Sequence, residues 1–333
     1  MSPVDPELSV VVPIYNEAGN IPAFLAHILP ILRAETRSYE LIFCADPCTD
    51  GSEQLVMRAR DGDDSIKLIV FSRRFGQPAA TLAGIELATG ASVLVIDVDL
   101  QDPPELIPAM LEKWRGGAAV VLAQRTSRKG ETLVKRAVSA LGYRLINRIS
   151  DVPIPADTGD FRLMDRRVVD HLLRFTETHG FLRGLVALVG FEQATVEFER
   201  PARYSGKGNY NRFLGSLKIG LNGVIGFSTA LLSLSTFIGF AAAFLAFLIA
   251  VAYGVAQIVG NAFPVGNPTI VILILFMGGL QLICFGILGQ YVGRIYEEVK
   301  RRPRFVVDRA AGFDVIEGNP TRPIERDPAP RSA

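Results

Sequence analysis

"VLVIDVDLQDPPELI", Val93 to Ile107, begins as an apolar run and then sets Asp97, Asp99 and Asp102 within six positions. Strands buried on both faces of a parallel sheet read as near-continuous apolar runs, and ligands of such sheets bind beyond the strands' carboxyl ends. The stretch therefore reads as a buried strand that delivers carboxylates to a site. Residues two apart on an extended chain point the same way. Asp97 and Asp99 share a side if the chain stays extended, with Gln101 continuing the row. Mg2+ and Mn2+ take oxygen ligands, typically one or two carboxylates plus substrate phosphates. Asp-x-Asp also occurs in ordinary surface turns, and Asp102-Pro103-Pro104 reads better as a capped helix start than as part of a metal site.

Outward from this strand, short apolar runs alternate with helix-period segments, the pattern of a parallel sheet covered by helices. Strands are expected at Leu8–Ile14, Tyr39–Cys44, Ile66–Phe71, Ser92–Asp97 and Ala118–Ala123. Helices are expected at Ile21–Glu35, Ser52–Ala59, Gln77–Ala88 and Pro104–Trp114, with Asn20 as an N-cap and Gly90 as a C-cap. Residues 126–200 read as the second half of the same domain: a basic segment, a polar turn "DTGDFRLMDRR", a helix and an alternating strand "QATVEFE".

The apolar residues are unevenly spread. Hydrophobic residues make up 49% of 333, with Lys+Arg 35 against Asp+Glu 34, yet no charged residue occurs from Ile219 to Gly293. A membrane helix needs about 20 apolar residues, and Leu231–Val259 and Thr269–Val292 are both long enough, separated by the breakers of "GNAFPVGNP". Arg and Lys flank the pair on both outer sides and are missing from the link, so both termini are expected on the cytoplasmic side. The alternative, a buried helical hairpin, needs a larger domain around it. Before the spans, Phe213, Leu214, Leu217, Leu221 and Ile225 have the spacing of an interfacial amphipathic helix, or of a plain linker helix. The resulting division is 1–210 an α/β domain, 211–227 amphipathic helix, 228–293 two spans, and 294–333 a basic segment with a disordered tail. The first residues, MSPVDPELS, lack the basic and apolar parts of a signal peptide. Three cysteines suggest a reducing compartment and small buried hydrophobes, and a net charge of +1 gives no case for nucleic-acid binding.

Other expected strand ends carry similar chemistry. "VVPIYNE" brings Tyr15 and Glu17 to the edge that holds the acidic cluster, and "CADPCTDGS" brings Asp46. They are either ordinary loop residues or the stacking and hydrogen-bonding groups of a nucleoside pocket. Arg125, Arg128 and Lys207 are candidates to bind a phosphate, or form a solvated basic face.

"VVPIYNE", "SRRFGQPAATLAGIELATG", "VIDVDLQDPPELI", "DTGDFRLMDRRVV" and "FLRGLVALVGF", in that order and followed by two apolar spans, resemble the polyprenyl-phosphate glycosyltransferases of glycosyltransferase family 2. The likeness is to bactoprenol glucosyltransferases and, more distantly, dolichol-phosphate mannose synthases, over about residues 8–305. It implies a GT-A fold, a nucleotide-sugar donor, Mg2+ or Mn2+, and inverting transfer of one sugar to polyprenyl phosphate at the cytoplasmic face of the plasma membrane. It also implies a multi-pass membrane protein that forms homo-oligomers, with a tetramer expected. By the same resemblance Pro13, Tyr15, Glu17, Asp46 and Asp97 contact the nucleotide; Asp97, Asp99 and Gln101 serve the metal and diphosphate; and Asp157 stands where a catalytic base is usually placed. "DPCTDGS" and "YSGKGNY" depart from the family's usual Asp-Asp-Gly-Ser and Gly-x-Ser-Lys-Tyr.

Glucose from UDP-glucose is the expected donor, with GDP-mannose, UDP-N-acetylhexosamine and UDP-aminoarabinose as alternatives. A processive polysaccharide synthase would need a Gln-x-x-Arg-Trp segment, whereas Trp114 is followed by Arg-Gly-Gly. A transporter is disfavoured by spans without an ionisable residue. A non-catalytic, membrane-anchored nucleotide-binding protein is disfavoured by intact Asp97, Asp99 and Asp157.

Overall fold

A computed structural model describes residues 6–126, 158–175, 182–199, 201, 204, 230–259, 267–313 and 322–323. Its first unit is a mixed sheet built on β1 (Leu8–Ile14), β2 (Tyr39–Ala45), β3 (Ile66–Phe71) and β4 (Ser92–Val95). Every residue of β1 and β4 is buried, as expected of apolar strands covered on both faces. β4, β1, β2 and β3 run parallel, with Val11 opposite Val95 and Ile14 opposite Ala45.

The remaining strands extend this core on both sides. β5 (Val120–Arg125), β6 (Thr158–Asp165) and β7 (Gln193–Phe198) lie beyond β4, while β8 (Val307–Ala311) and β9 (Arg322–Pro323) lie beyond β3. The order is β7-β5-β6-β4-β1-β2-β3-β8-β9. β6 is antiparallel to both β4 and β5, so β5 points the same way as β4 and also ends at the carboxyl edge.

Helices α1 (Ile21–Glu35), α2 (Ser52–Gly62), α3 (Gln77–Leu87) and α4 (Ile107–Arg115) connect the strands, and α5 (Arg166–Leu172) and α6 (Leu182–Val189) follow β6. α1 buries Ile21, Phe24, Ile28 and Leu32, one stripe at helical spacing. Phe24 meets Phe43 of β2 edge-on at 6.3 Å. α3 packs so closely on the sheet that a Cβ at Gly84 would run into the Val11 side chain and lie 2.7 Å from Cys44 Sγ.

Several local expectations need correction. "DTGDFRLMDRR" is no polar turn: Thr158–Asp165 is strand β6, with Phe161, Leu163 and Met164 in the core. The turn comes after it, where Asp165 accepts the Arg167 N–H at 3.0 Å and caps α5. Asn20 precedes α1 but makes no side-chain cap, because its amide donates to Glu17 Oε2 at 2.5 Å. Asp102 is 3% exposed and the helix start after it has no side-chain cap. Gly90 lies beyond Ala88, the C-cap of α3, and is required by contact instead: a Cβ there would lie 2.6 Å from Ser9 Oγ and 2.7 Å from Ser9 N.

The second unit includes α7 (Ala230–Ile258) and α8 (Asn267–Val299), 29 and 33 residues long. At 1.5 Å per residue either exceeds the roughly 30 Å hydrocarbon thickness of a bilayer. Their large apolar side chains are exposed, Phe240 by 73% and Leu282 by 72%. The two helices are thus long and apolar enough to cross a membrane. The expected amphipathic helix at 211–227 lies outside the described residues. Of the basic segment and disordered tail expected at 294–333, residues 303–313 group with the first unit, and Val307–Ala311 form a strand antiparallel to β3.

Glu40 of β2, 2% exposed, ties three strands together. It accepts from Ser9 Oγ at 2.5 Å, Lys67 Nζ at 2.7 Å and Thr89 N at 2.7 Å. Burial raises its pKa, and these donors outweigh burial, so the net shift is downward. A carboxylate with a lowered folded pKa adds stability above its unfolded value, near 4.5, which is lost as pH falls through the folded value. Glu40→Gln is expected to destabilise the detergent-solubilised protein by about 2 kcal/mol near neutral pH. The gap from the parent in thermal unfolding should narrow as pH drops below 4.5. Gly84→Ala should cost about 1–3 kcal/mol by overpacking, read as a lower Tm at every pH.

Candidate active site

The carboxyl ends of β4, β1 and β2 lie side by side, and each is followed by polar residues. Asp46 N bonds to Ile14 O at 3.1 Å and Ile96 N to Val11 O at 3.1 Å, so the loops leave the sheet in register. Tyr15 and Glu17, Asp46, and Asp97, Asp99 and Gln101 are thereby brought to one edge. Pro13 is not at the rim; it is buried within β1 opposite Cys44.

The first two loops are stitched together. Asn16 adopts φ +54°, the left-handed region that asparagine tolerates, and its Oδ1 accepts Thr49 N at 2.9 Å. Glu17 N donates to Ser52 Oγ at 2.9 Å and Ala18 N to Asp50 Oδ2 at 2.9 Å. Asp50 also receives Ser52 Oγ at 2.6 Å. The Asp-Gly-Ser part of "DPCTDGS" therefore builds the loop, while Asp46 does something else. Its two carboxylate oxygens, in a residue 3% exposed, accept Phe75 N at 2.8 Å and Gly76 N at 3.0 Å. Cys48 is no plain buried hydrophobe either: its Sγ receives Asn16 N at 3.3 Å and donates to Asp46 O at 3.1 Å. Burial raises the Cys48 thiol pKa to about 11, which keeps it protonated.

The acidic stretch after β4 does not stay extended. β4 ends at Val95, Val98 and Asp99 form a turn, and Leu100 takes φ +58°. Asp97 is half-buried and Asp99 8% exposed. Asp97 Oδ1 accepts Gln77 Nε2 at 2.8 Å, and Asp99 Oδ1 accepts Gln101 N at 3.0 Å. Asp99 O receives Tyr204 N at 3.3 Å, which draws residue 204 to this turn. Among the described residues no group of three or more His, Cys, Asp or Glu is placed to hold a metal ion. Two carboxylates suit a hard cation that takes its remaining oxygens from a diphosphate and water.

Arg125 ends β5 on the same edge. Its Nη2 would lie 3.1 Å from a Cβ on Gly159, so the guanidinium crosses that glycine. It also acts on Asp160, whose Oδ1 accepts Arg183 Nε at 2.9 Å and lies 3.9 Å from Arg162 Nη2. Burial raises the Asp160 pKa, and Arg183, Arg162 and Arg125 together bring it below its ordinary value. Arg162 is 1% exposed, and burial lowers its pKa to about 10. Asp157, Arg128 and Lys207 lie outside the described residues.

Residue-by-residue reading missed several participants. Arg74 lies over the Tyr15 ring at 4.0 Å and Arg73 over Phe75 at 4.0 Å. Both arginines and Gln77 belong to "SRRFGQ", Ser72 to Gln77. The tightly spaced Arg-Arg-Phe-Gly after an apolar strand was the available signal.

A family model described as "Glycosyl transferase family 2" matches residues 9–173. The chain is 39% identical over 308 residues to the uncharacterized glycosyltransferase YkcC of Bacillus subtilis (strain 168), covering 92% of this chain and 95% of that protein. It is 37% identical to the SfII prophage-derived bactoprenol glucosyl transferase of Shigella flexneri, covering 91% and 98%. Among solved structures, glucosyl-3-phosphoglycerate synthase from Mycobacterium tuberculosis in complex with Mn2+, UDP-glucose and glycerol 3-phosphate aligns with a TM-score of 0.44 and 18% identity. That alignment covers 66% of this chain and 78% of that one. The 39% and 37% identity to the Bacillus and Shigella glycosyltransferases, each over more than nine-tenths of the chain, shows that the chain belongs to glycosyltransferase family 2.

Proposed function

We propose that the chain transfers one sugar from a nucleotide-sugar donor to polyprenyl phosphate at the cytoplasmic face of the plasma membrane, making a lipid-linked sugar for cell-envelope glycosylation. The observation that carries this reading is the convergence of Tyr15, Glu17, Asp46, Asp97 and Asp99 on one sheet edge. Glucose from UDP-glucose is the donor we favour, supported by 37% identity to a bactoprenol glucosyl transferase over 91% of the chain. GDP-mannose, UDP-N-acetylhexosamine and UDP-aminoarabinose use the same chemistry.

In this reading the base lies by Tyr15, over whose ring Arg74 is stacked, and Asp46 shapes the pocket by holding Phe75 and Gly76. Asp97 and Asp99, with Gln101 beside them, would hold Mg2+ or Mn2+. Such a cation offsets the negative charge that builds on the leaving diphosphate. Gln77 fixes the Asp97 carboxylate for that task. Arg125 serves the acceptor phosphate, steadied by Asp160, and Arg128 and Lys207 are assigned to the same anion. A lipid phosphate is already ionised near neutral pH, so it needs orientation more than deprotonation. We therefore assign Asp157 to orienting the reacting groups. The two apolar helices anchor the enzyme where the acceptor headgroup lies, and homo-oligomers, tetramers by family likeness, are part of the proposal.

Membranes containing the enzyme, given undecaprenyl phosphate and a panel of nucleotide sugars, should glucosylate the lipid from UDP-glucose and stop when a chelator is added. Asp99→Asn should lower kcat by about 100-fold or more. Activity untouched by chelator and by this substitution would overturn the mechanism. Asp157→Asn should reduce turnover but leave the acidic limb of the pH–rate profile where it is. Displacement of that limb would restore a general-base role.

A further inference from the structure

β8 follows the second apolar helix in sequence, yet it and the two residues before it are linked to two loops of the proposed nucleotide pocket. Arg309 Nη2 donates to Glu53 Oε2 at 2.9 Å, and Glu53 Oε1 accepts Cys48 N at 3.0 Å. Arg309 thus fixes a carboxylate whose other oxygen holds the loop between β2 and α2.

A second line of contacts starts just before the strand. Phe305 meets Phe71 edge-on at 5.9 Å, and Phe71 meets Phe75 at 6.0 Å. Ser72 N donates to Val306 O at 2.9 Å. The Phe75 and Gly76 N–H groups hold Asp46. Both lines begin within residues 305–309 and end on loops that meet at Asp46 and Cys48, where Cys48 Sγ bonds Asp46 O.

We infer that the segment Phe305–Ala311 is a positioning element of the donor site, with Arg309 and Phe305 holding the β2–α2 and β3–α3 loops in the conformation that binds the nucleotide. The inference rests on the nucleotide reading of this edge. It goes further in making donor affinity depend on a strand from the far end of the chain. The Arg309 side chain is 40% exposed and Glu53 12%, so the pair alone contributes modestly. Its influence comes from what Glu53 holds. A strand that merely covered the sheet edge would affect stability and leave substrate discrimination alone.

The test uses the full-length enzyme in detergent or membranes, with Arg309→Ala, Arg309→Lys and Phe305→Leu. Donor and acceptor KM, UDP and GDP binding by calorimetry, and amide exchange at Cys48 and Phe75 are measured together. Arg309→Ala should raise donor KM and UDP Kd about fivefold, with kcat, acceptor KM and Tm held. Exchange at Cys48 should quicken, and Arg309→Lys should recover part of the loss. Phe305→Leu should quicken exchange at Phe75. Unchanged UDP affinity and Cys48 exchange in Arg309→Ala would overturn the inference. Equal losses for donor and acceptor with a lower Tm would do the same, because they mark general damage. Failure of the parent enzyme to bind either nucleotide would overturn the donor-site reading and this inference's use of it, while the exchange rates alone would still report whether the loops are braced.

Discussion

Parallel pairing of β4, β1 and β2 is the constraint on which the rest depends. Strands that run the same way must end on the same side, so whatever follows them is forced to one edge. Here that places Asp46, Glu17, Asp97 and Asp99 near one another, where like charges repel unless they are offset. Neutral donors already orient three of them: the Phe75 and Gly76 amides on Asp46, Gln77 on Asp97, and the Gln101 amide on Asp99. Such bonds solvate a carboxylate without cancelling its charge. A cation that arrives with a diphosphate would do so, and this is the physical basis for the proposed donor site.

The same sheet explains why the chain returns after its apolar helices. β3 would otherwise present an open edge, and an unpaired edge is a hazard that proteins cover. β8 covers it, with Val307 buried against Phe71. Since Arg309 also pairs with Glu53 and Phe305 meets Phe71, the segment that closes the sheet is the one inferred to brace the proposed donor site.

Much of this was legible in the sequence, for identifiable reasons. β1, β3 and α1 fall at their expected bounds because continuous apolar runs and a clean helical stripe leave little choice. "DTGDFRLMDRR" misled because its charges suggested a turn. Asp160 of that strand is paired with Arg183 of α6, and Arg162 Nη2 donates to Gly159 O at 2.8 Å, so tertiary pairing overrides local composition. The extended course expected from Asp97 to Gln101 is broken by the turn at Val98–Asp99 and by Leu100, whose left-handed backbone no pattern of apolar residues announces. β8 was hidden for another reason: "VVDRAAGF" follows a basic stretch and becomes a strand only because β3 is there to pair with it. At the site, residues at strand ends were readable, whereas Arg74, Gln77 and Glu53 act through partners distant in sequence.

The central claim is that Asp97 and Asp99 hold a cation against the donor diphosphate at this edge. The most direct measurement is an experimental structure of the full-length enzyme with UDP and Mn2+, phased to show the anomalous manganese signal. The account predicts a manganese peak within bonding distance of the Asp97 or Asp99 carboxylate, the diphosphate beside it and the uracil near Tyr15. Nucleotide bound elsewhere, or a manganese peak away from both carboxylates, would contradict it.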